Sequence, residues 1–178
     1  MKKGFLLLLL PATLLPVACT RIDRGRDIHS DFMDFVYLKD HNRFVYKSKV
    51  NARADTQVFL TTHFAVDLPK GLKHWQVLGN EFVFEYEKKQ LVYIQMAYQN
   101  ESQPIEPTLR NVNNEEVYAR LSPYWYERKY PEKILKENHP GRISKVYSDG
   151  RAVILLYNVK QENVDHFLRL TNGLTYLN

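Results

Sequence analysis

Residues 152–159 read AVILLYNV, and this run decides the fold. In an extended chain Ile154 and Leu156 fall on one face while Val153, Leu155 and Tyr157 fall on the other. A strand with one wet face alternates apolar with polar residues. A run that is apolar on both faces belongs inside a sheet that is covered on both sides. Residues 143–147 precede it across Ser148-Asp149-Gly150, a turn signal, so the two segments are predicted to form a hairpin.

The chain upstream has the same extended character. Residues 43–50 and 56–68 read as strands, and the second ends at Pro69-Lys70-Gly71, a strong turn signal. Residues 75–78 lead through Gly79-Asn80 into 81–86, where Phe82, Phe84 and Tyr86 alternate with Val83 and Glu85. After the charged turn Glu87-Lys88-Lys89-Gln90, residues 91–99 place Val92, Ile94, Met96 and Tyr98 on one face. This is the pattern of an antiparallel meander. Residues 32–38 suit a strand or a short helix. Residues 100–111 hold two prolines and no periodicity, which predicts a loop.

Three segments have helical spacing. Asn113 with Glu116 makes a capping-box-like start, followed by Val117, Leu121 and Trp125. Pro123 predicts a kink or a restart there, with Ser122 as the new cap. Residues 131–137 form one more short helix, stopped by Asn138-His139-Pro140-Gly141. Residues 161–177 read as the clearest helix, with Val164, Phe167, Leu168, Leu174 and Leu177 in one stripe. The expected architecture is α+β: a mostly antiparallel sheet of five to seven strands packed against helices, including a C-terminal helix.

The first 19 residues read MKKGFLLLLLPATLLPVAC. Lys2 and Lys3 form a positive start, and residues 5–10 form an apolar run that Pro11 interrupts. The stretch is too short to span a bilayer and fits a removable signal peptide. The one cysteine of the chain, Cys19, stands where cleavage would fall. With Val17-Ala18 before it and leucines upstream, the site resembles the lipobox of bacterial lipoproteins, although Pro16 stands where that motif prefers Leu. The resemblance implies that Cys19 is acylated and becomes the new N-terminus. In that family an Asp after the cysteine favours retention in the inner membrane. Thr20 stands there in this chain, and so the resemblance implies the outer membrane. The expected organisation is a signal peptide over 1–18, a lipidated cysteine and polar tether over 19–31, and one globular domain over 32–178.

The 178 residues are 44% hydrophobic and 25% charged, which excludes a disordered or collagen-like chain. A single cysteine excludes a disulfide scaffold. Net charge is +5 for the whole chain and falls to +3 without Lys2 and Lys3. That is too mild for a nucleic-acid partner, which calls for a dense basic stripe.

Two further stretches carry a second resemblance. Residues 64–71 (FAVDLPKG) are followed by Trp75 and the 82–86 strand, and the final hairpin leads into a helix containing Asn163, Phe167, Leu168 and Leu174. The layout resembles the Mog1/PsbP-like α/β/α sandwich over about two-thirds of the chain. That fold hosts accessory and binding proteins rather than one chemistry, so it implies no functional residue.

No sequence signature of catalysis emerges. The six histidines (His29, His41, His63, His74, His139 and His166) do not stand at metal-binding spacing, so neither metal nor cofactor is expected. Neither a nucleophile elbow nor a phosphate-binding glycine loop is present. Asp67, Glu85, Glu87 and Asp149 are candidate paired carboxylates that nothing in the sequence brings together. The most unusual stretch is Tyr124-Trp125-Tyr126-Glu127-Arg128-Lys129-Tyr130, four aromatics among two cations, suited to stacking on a ligand or partner protein. A helix cannot bury all four on one side, so one or two are expected at the surface. Tyr124, Trp125, Tyr126, Arg128, Lys129 and Tyr130 are therefore the candidate partner-binding residues, with 32–37 as a second possible contact edge. The expected function is a lipid-anchored, non-enzymatic binding or accessory protein of the bacterial envelope, attached to the membrane through its lipid and facing a protein partner. An immunity lipoprotein against a periplasm-acting toxin and an envelope glycan or peptide hydrolase are the alternatives.

Overall fold

A computed structural model describes residues 19–22, 25–47, 52–54, 57–137 and 139–177; for 19–22, 52–54 and 57–59 the description is of the backbone. The signal peptide read over 1–18 lies outside the described residues, as does the side chain of Cys19. The chain runs through β1 (Cys19–Ile22), β2 (Ile28–His29), β3 (Met33–Tyr37), β4 (Asn42–Tyr46), β5 (Ala52–Ala54), β6 (Gln57–Phe59), β7 (Phe64–Leu68), β8 (His74–Leu78), β9 (Glu81–Glu85) and β10 (Leu91–Met96). It continues with β11 (Thr108–Asn111), α1 (Asn114–Glu127), α2 (Lys133–Lys136), β12 (Arg142–Ser148), β13 (Ala152–Lys160), α3 (Val164–Thr171) and β14 (Thr175–Tyr176).

The architecture is α+β. A seven-stranded sheet has the order β1-β8-β9-β10-β13-β12-β11, and a five-stranded sheet has the order β14-β7-β4-β3-β2. All pairings within both are antiparallel. The residues 152–159 lie in β13, between β10 and β12, inside the larger sheet. Ile154 and Leu156 join the core that faces the smaller sheet and α3, and Leu155 and Tyr157 join the core beneath α1 and α2. Two-faced apolarity is thus explained by two covered faces.

The first core is built on aromatic rings. Phe44 and Phe64 from the smaller sheet meet Phe82 and Phe84 from the larger one, with ring centroids 4.9 Å apart for Phe64–Phe82 and 5.2 Å for Phe44–Phe84. Each fully buried side chain of this kind contributes about 1.5–3 kcal/mol by leaving water. The second core gathers Val117, Leu121, Tyr124 and Trp125 of α1 onto Val83, Leu91 and Tyr93.

The parity of β13 changes once. Leu156 pairs with Lys145 and Val159 with Ile143, so Tyr157 and Asn158 together oppose Ser144. This is a β-bulge, and Asn158 adopts φ 57° within it. The extra residue returns Val159 to the same core as Ile154 and Leu156.

Several boundaries differ from the sequence reading. The 161–177 helix ends at Thr171, because Asn172-Gly173 closes the last turn and Thr175–Tyr176 pairs with β7. The loop expected over 100–111 ends in β11, an exposed edge strand held by β12. The 56–68 segment divides into β6 and β7. Pro123 interrupts nothing: α1 runs through it, since the proline is exposed while Leu121, Tyr124 and Trp125 hold both halves on the sheet. Asn113 caps α1 as expected, accepting from the Glu116 amide at 2.8 Å. Within 19–31, the stretch read as a tether, β1 pairs with β8 and β2 with β3.

Candidate functional site

Residues 124–130 fold as the last turn of α1 and its cap. The Tyr130 amide donates to the Trp125 carbonyl and the Lys129 amide to the Tyr126 carbonyl, both at 3.0 Å. These two bonds form a Schellman motif, with Lys129 at φ 55° in the place where glycine is usual. The motif folds Tyr130 back onto Trp125, ring centroids 5.1 Å apart. Trp125 is 1% exposed and donates from Nε1 to the Pro131 carbonyl at 3.0 Å, so it is a core residue. Tyr124 is buried too, whereas Tyr126 is 58% exposed and Lys129 is exposed; Arg128 and Tyr130 are half-buried. The structure thus divides the six candidates into an anchoring pair, Tyr124 and Trp125, an exposed pair, Tyr126 and Lys129, and the half-buried Arg128 and Tyr130 between them.

Tyr124 and Tyr130 converge on a carboxylate that the sequence does not single out for this role. Glu85 ends β9 on the face beneath α1 and is buried. Its Oε2 accepts from the Tyr124 hydroxyl at 2.7 Å and its Oε1 from the Tyr130 hydroxyl at 2.9 Å. Lys89 Nζ lies 3.2 Å from Oε1, and Arg128 Nε lies 3.6 Å from Oε2. Tyr130 also accepts from Arg128 at 3.0 Å and carries Lys89 Nζ 3.0 Å above its ring. Buried carboxylates persist only when paired and hydrogen-bonded, and Glu85 is both.

His74, at the start of β8, completes the group. Because the Tyr124 hydroxyl donates to Glu85, it accepts from His74 Nδ1, 3.1 Å away. That assigns the Nδ1–H tautomer. Burial, reinforced by Arg128, lowers the His74 pKa below its ordinary value and keeps the ring neutral. Burial and the neighbouring Glu85 raise the Tyr124 phenol far above its usual range, so it keeps its proton and remains a donor. Beside this group, Gln76 donates to Glu127 at 2.5 Å and ties β8 to the end of α1.

The 87–90 turn closes the site from above. Lys88 and Lys89 both have left-handed backbones, φ 56° and 57°. Asn158 donates from Nδ2 to the Lys88 carbonyl at 2.9 Å and to the Lys89 carbonyl at 3.2 Å. Gln90 adds a donation to the Glu87 carbonyl at 3.1 Å and accepts from the Lys160 amide at 3.0 Å. The turn is therefore held from the bulge in β13, and its lysines are presented on a braced frame.

Between these parts lies an open cleft of about 390 Å³, lined by Lys73, Lys88, Lys89 and Arg128 against Glu85 and Glu87, with His74 and Tyr130 at its base. A second cleft of about 400 Å³ lies at the other end of the sheet, where Glu101 and Arg151 are its one acid and one base. Charge is concentrated at the first. Its volume suits a small molecule or a partner's side chains. Of the possible second contact edge, Phe32 is 42% exposed, while Met33 and Phe35 point into the core.

Sequence reasoning reached the tyrosines, Arg128 and Lys129 but not His74, Lys89 or Asn158 as members of the site. The one usable signal was Glu85, a carboxylate in an otherwise apolar alternation. Among the described residues no group of three or more His, Cys, Asp or Glu gathers to hold a metal, and no helix is long and apolar enough to cross a membrane.

Comparison with protein-family models, with curated proteins and with solved structures finds no match to this chain.

Proposed function

We propose that this chain is a lipid-anchored, non-enzymatic binding or accessory protein of the bacterial cell envelope, held in the outer membrane through an acylated Cys19. Its domain faces the periplasm and meets a protein partner with the outward side of residues 126–130 and the adjoining cleft. The observation that carries this reading is the division of labour within 124–130. Tyr124 and Trp125 fix the segment to the core, which leaves Tyr126 and Lys129 exposed on a braced helix end and Arg128 lining the adjoining cleft. Rigid, amphipathic contact groups beside a concave surface are what binding faces use. The groups that would serve an acid–base reaction are engaged with one another: Tyr124 and Tyr130 with Glu85, and His74 with Tyr124.

The test has two parts. Cys19→Ser moves the protein from the membrane fraction to the soluble periplasm while the domain stays folded; a variant that remains membrane-bound sinks the lipoprotein reading. Crosslinking of the acylated protein in its own envelope, read by mass spectrometry, returns one stoichiometric protein, which Tyr126→Ala abolishes. The identity of that protein separates an accessory role from immunity to a toxin. Turnover of an envelope glycan or peptide by the purified protein would overturn the non-enzymatic reading.

A further inference from the structure

Four cations surround the cleft between the 87–90 turn and the end of α1, and both of its carboxylates are already occupied. Glu85 holds Tyr124, Tyr130, Lys89 and Arg128, and Glu87 pairs with Lys73 at 3.2 Å. Lys88 is exposed and enters none of the ion pairs among the described residues. Four cations against two carboxylates leave the lining two positive charges in excess. Such an excess in a concave site attracts an anion and strengthens its binding.

The scaffold around these charges is fixed. Lys88 and Lys89 hold left-handed backbones in consecutive positions, which for a side chain with a Cβ is unfavourable at each residue. Both are kept there by the Asn158 amide. Lys129, in the same conformation, borders the site through the helix cap. The cationic side chains of the turn thus stand on a braced backbone, the preorganisation that an anion site requires.

The sheet register separates this site from the bilayer. Along β8, Val77 pairs with Cys19 and His74 with Ile22. At about 3.3 Å per residue, Cys19 lies about 10 Å along the strand from the His74 end, where the cleft opens. A lipid on Cys19 draws the Leu78 end of the sheet toward the membrane and leaves the cleft at the far end.

From this geometry we infer that the Lys73/Lys88/Lys89/Arg128 cleft binds a doubly charged oxyanion group of a soluble ligand or partner: a phosphate or a pair of carboxylates. The inference rests on the binding-protein reading and supplies the chemistry of what is bound.

The experiment titrates the full-length acylated protein, in nonionic detergent at low ionic strength, with inorganic phosphate and separately with citrate, by calorimetry. Saturable binding of one equivalent is expected, weakened about tenfold or more in Lys73→Ala/Lys88→Ala and unchanged in Arg151→Ala at the opposite cleft. Both lysines are exposed, so the double variant should keep its thermal unfolding midpoint, measured alongside. Tighter binding of phosphate points to a phosphate ester, and tighter binding of citrate to paired carboxylates. Absence of saturable binding by either anion overturns the inference, as does binding indifferent to the two lysines. Capture by anionic phosphatidylglycerol vesicles in place of the soluble anions overturns it too. Where the titration overturns this inference, a protein partner that still crosslinks to the acylated protein leaves the accessory reading standing, so the two failures are distinguished.

Discussion

Asn158 donates its side-chain amide to the Lys88 carbonyl at 2.9 Å, joining two points seventy residues apart in the chain. The bond exists because β13 carries one extra residue opposite Ser144. The bulge turns Asn158 out of the ladder alternation and places its amide under the 87–90 turn. Asn tolerates φ 57° better than most residues and brings two donors, so it satisfies both demands of the position. Asn158→Gly keeps the backbone conformation and deletes the two hydrogen bonds. We expect a loss of about 1–3 kcal/mol in urea unfolding, from two carbonyls left without a partner. Asn158→Ala should lose more, because alanine is also strained at positive φ. In both, anion affinity at the cleft should fall although no cationic residue has changed.

This relationship also marks the limit of what the sequence discloses. The two-faced apolarity of 152–159 and the alternation of Phe82, Phe84 and Tyr86 are local and strong, and they gave the larger sheet its interior. The second sheet is carried by strands of similar pattern, but nothing local says that they leave the first sheet. Pairing partners are set by packing across the core, here by Phe44 and Phe64 against Phe82 and Phe84. The residues 124–130 were visible as an unusual cluster because aromatic and basic residues are conspicuous. His74 and Asn158 were not, since a single polar residue in a strand acquires meaning only from what folds over it; Glu85 stands out as a carboxylate in an apolar alternation, but its partners do not. Lys129 hid the helix end, because the position that usually shows itself as glycine is here a lysine.

Lys129 offers a direct test of the cap. A residue with a Cβ is disfavoured in the left-handed region by about 1–2 kcal/mol, and glycine is not. Lys129→Gly relieves that strain while gaining freedom in the unfolded chain, which offsets part of the benefit. We expect a net gain of up to about 1 kcal/mol, seen as a higher midpoint in thermal unfolding. A loss of stability would mean that the lysine side chain, and not the backbone, determines fitness at this position.

Glu85 is the hub on which the site depends. Glu85→Gln keeps the shape but removes the charge that Arg128 and Lys89 face, and turns an amide nitrogen toward hydroxyl donors. Removing one partner from a buried charge group costs about 3–5 kcal/mol. For a domain of this size the midpoint should fall by about 10 °C or more. Tyr130→Phe removes one hydroxyl from the same carboxylate and should lose less, about 1.5–3 kcal/mol. Should Glu85→Gln unfold like the wild type, the carboxylate would not be organising the cleft.

His74 should make stability pH-dependent in a defined window. Burial lowers its pKa in the folded state below the ordinary 6.5. As pH falls, the unfolded chain takes up this proton first, so stability is lost from about pH 6.5 downward until the lowered folded value is reached. Above that window the contribution is constant. Glu81, whose pKa is raised by burial, acts with opposite sign as pH falls, and Asp34 and Glu116, lowered chiefly by Lys47 and Arg110, lose their contribution at more acidic pH. The His74 share is therefore read as a difference. Urea unfolding of wild type and His74→Gln between pH 5 and pH 8 (roughly the range in which an imidazole titrates) should give a shallower decline for the variant below pH 6.5. Parallel curves would show that His74 is not the group responsible.

Trp125 and Tyr126 are adjacent in sequence and opposite in consequence. Trp125 is 1% exposed, and its truncation to Ala should destabilise the domain by about 3–5 kcal/mol. Any loss of partner capture in that variant would then reflect unfolding as much as lost contact. Tyr126 is 58% exposed, and its hydroxyl meets the Tyr118 hydroxyl at 2.8 Å. Tyr126→Ala should shift stability by only about 0.5 kcal/mol, so capture measured in it reports on the surface. An interface centred on this helix end predicts that Tyr126→Ala abolishes crosslinking at an unchanged unfolding midpoint, because an exposed tyrosine at the middle of a contact contributes out of proportion to its area. Capture that survives Tyr126→Ala and is lost only with Trp125→Ala, together with the unfolding midpoint, would show that residues 124–130 serve the core and that the partner binds elsewhere.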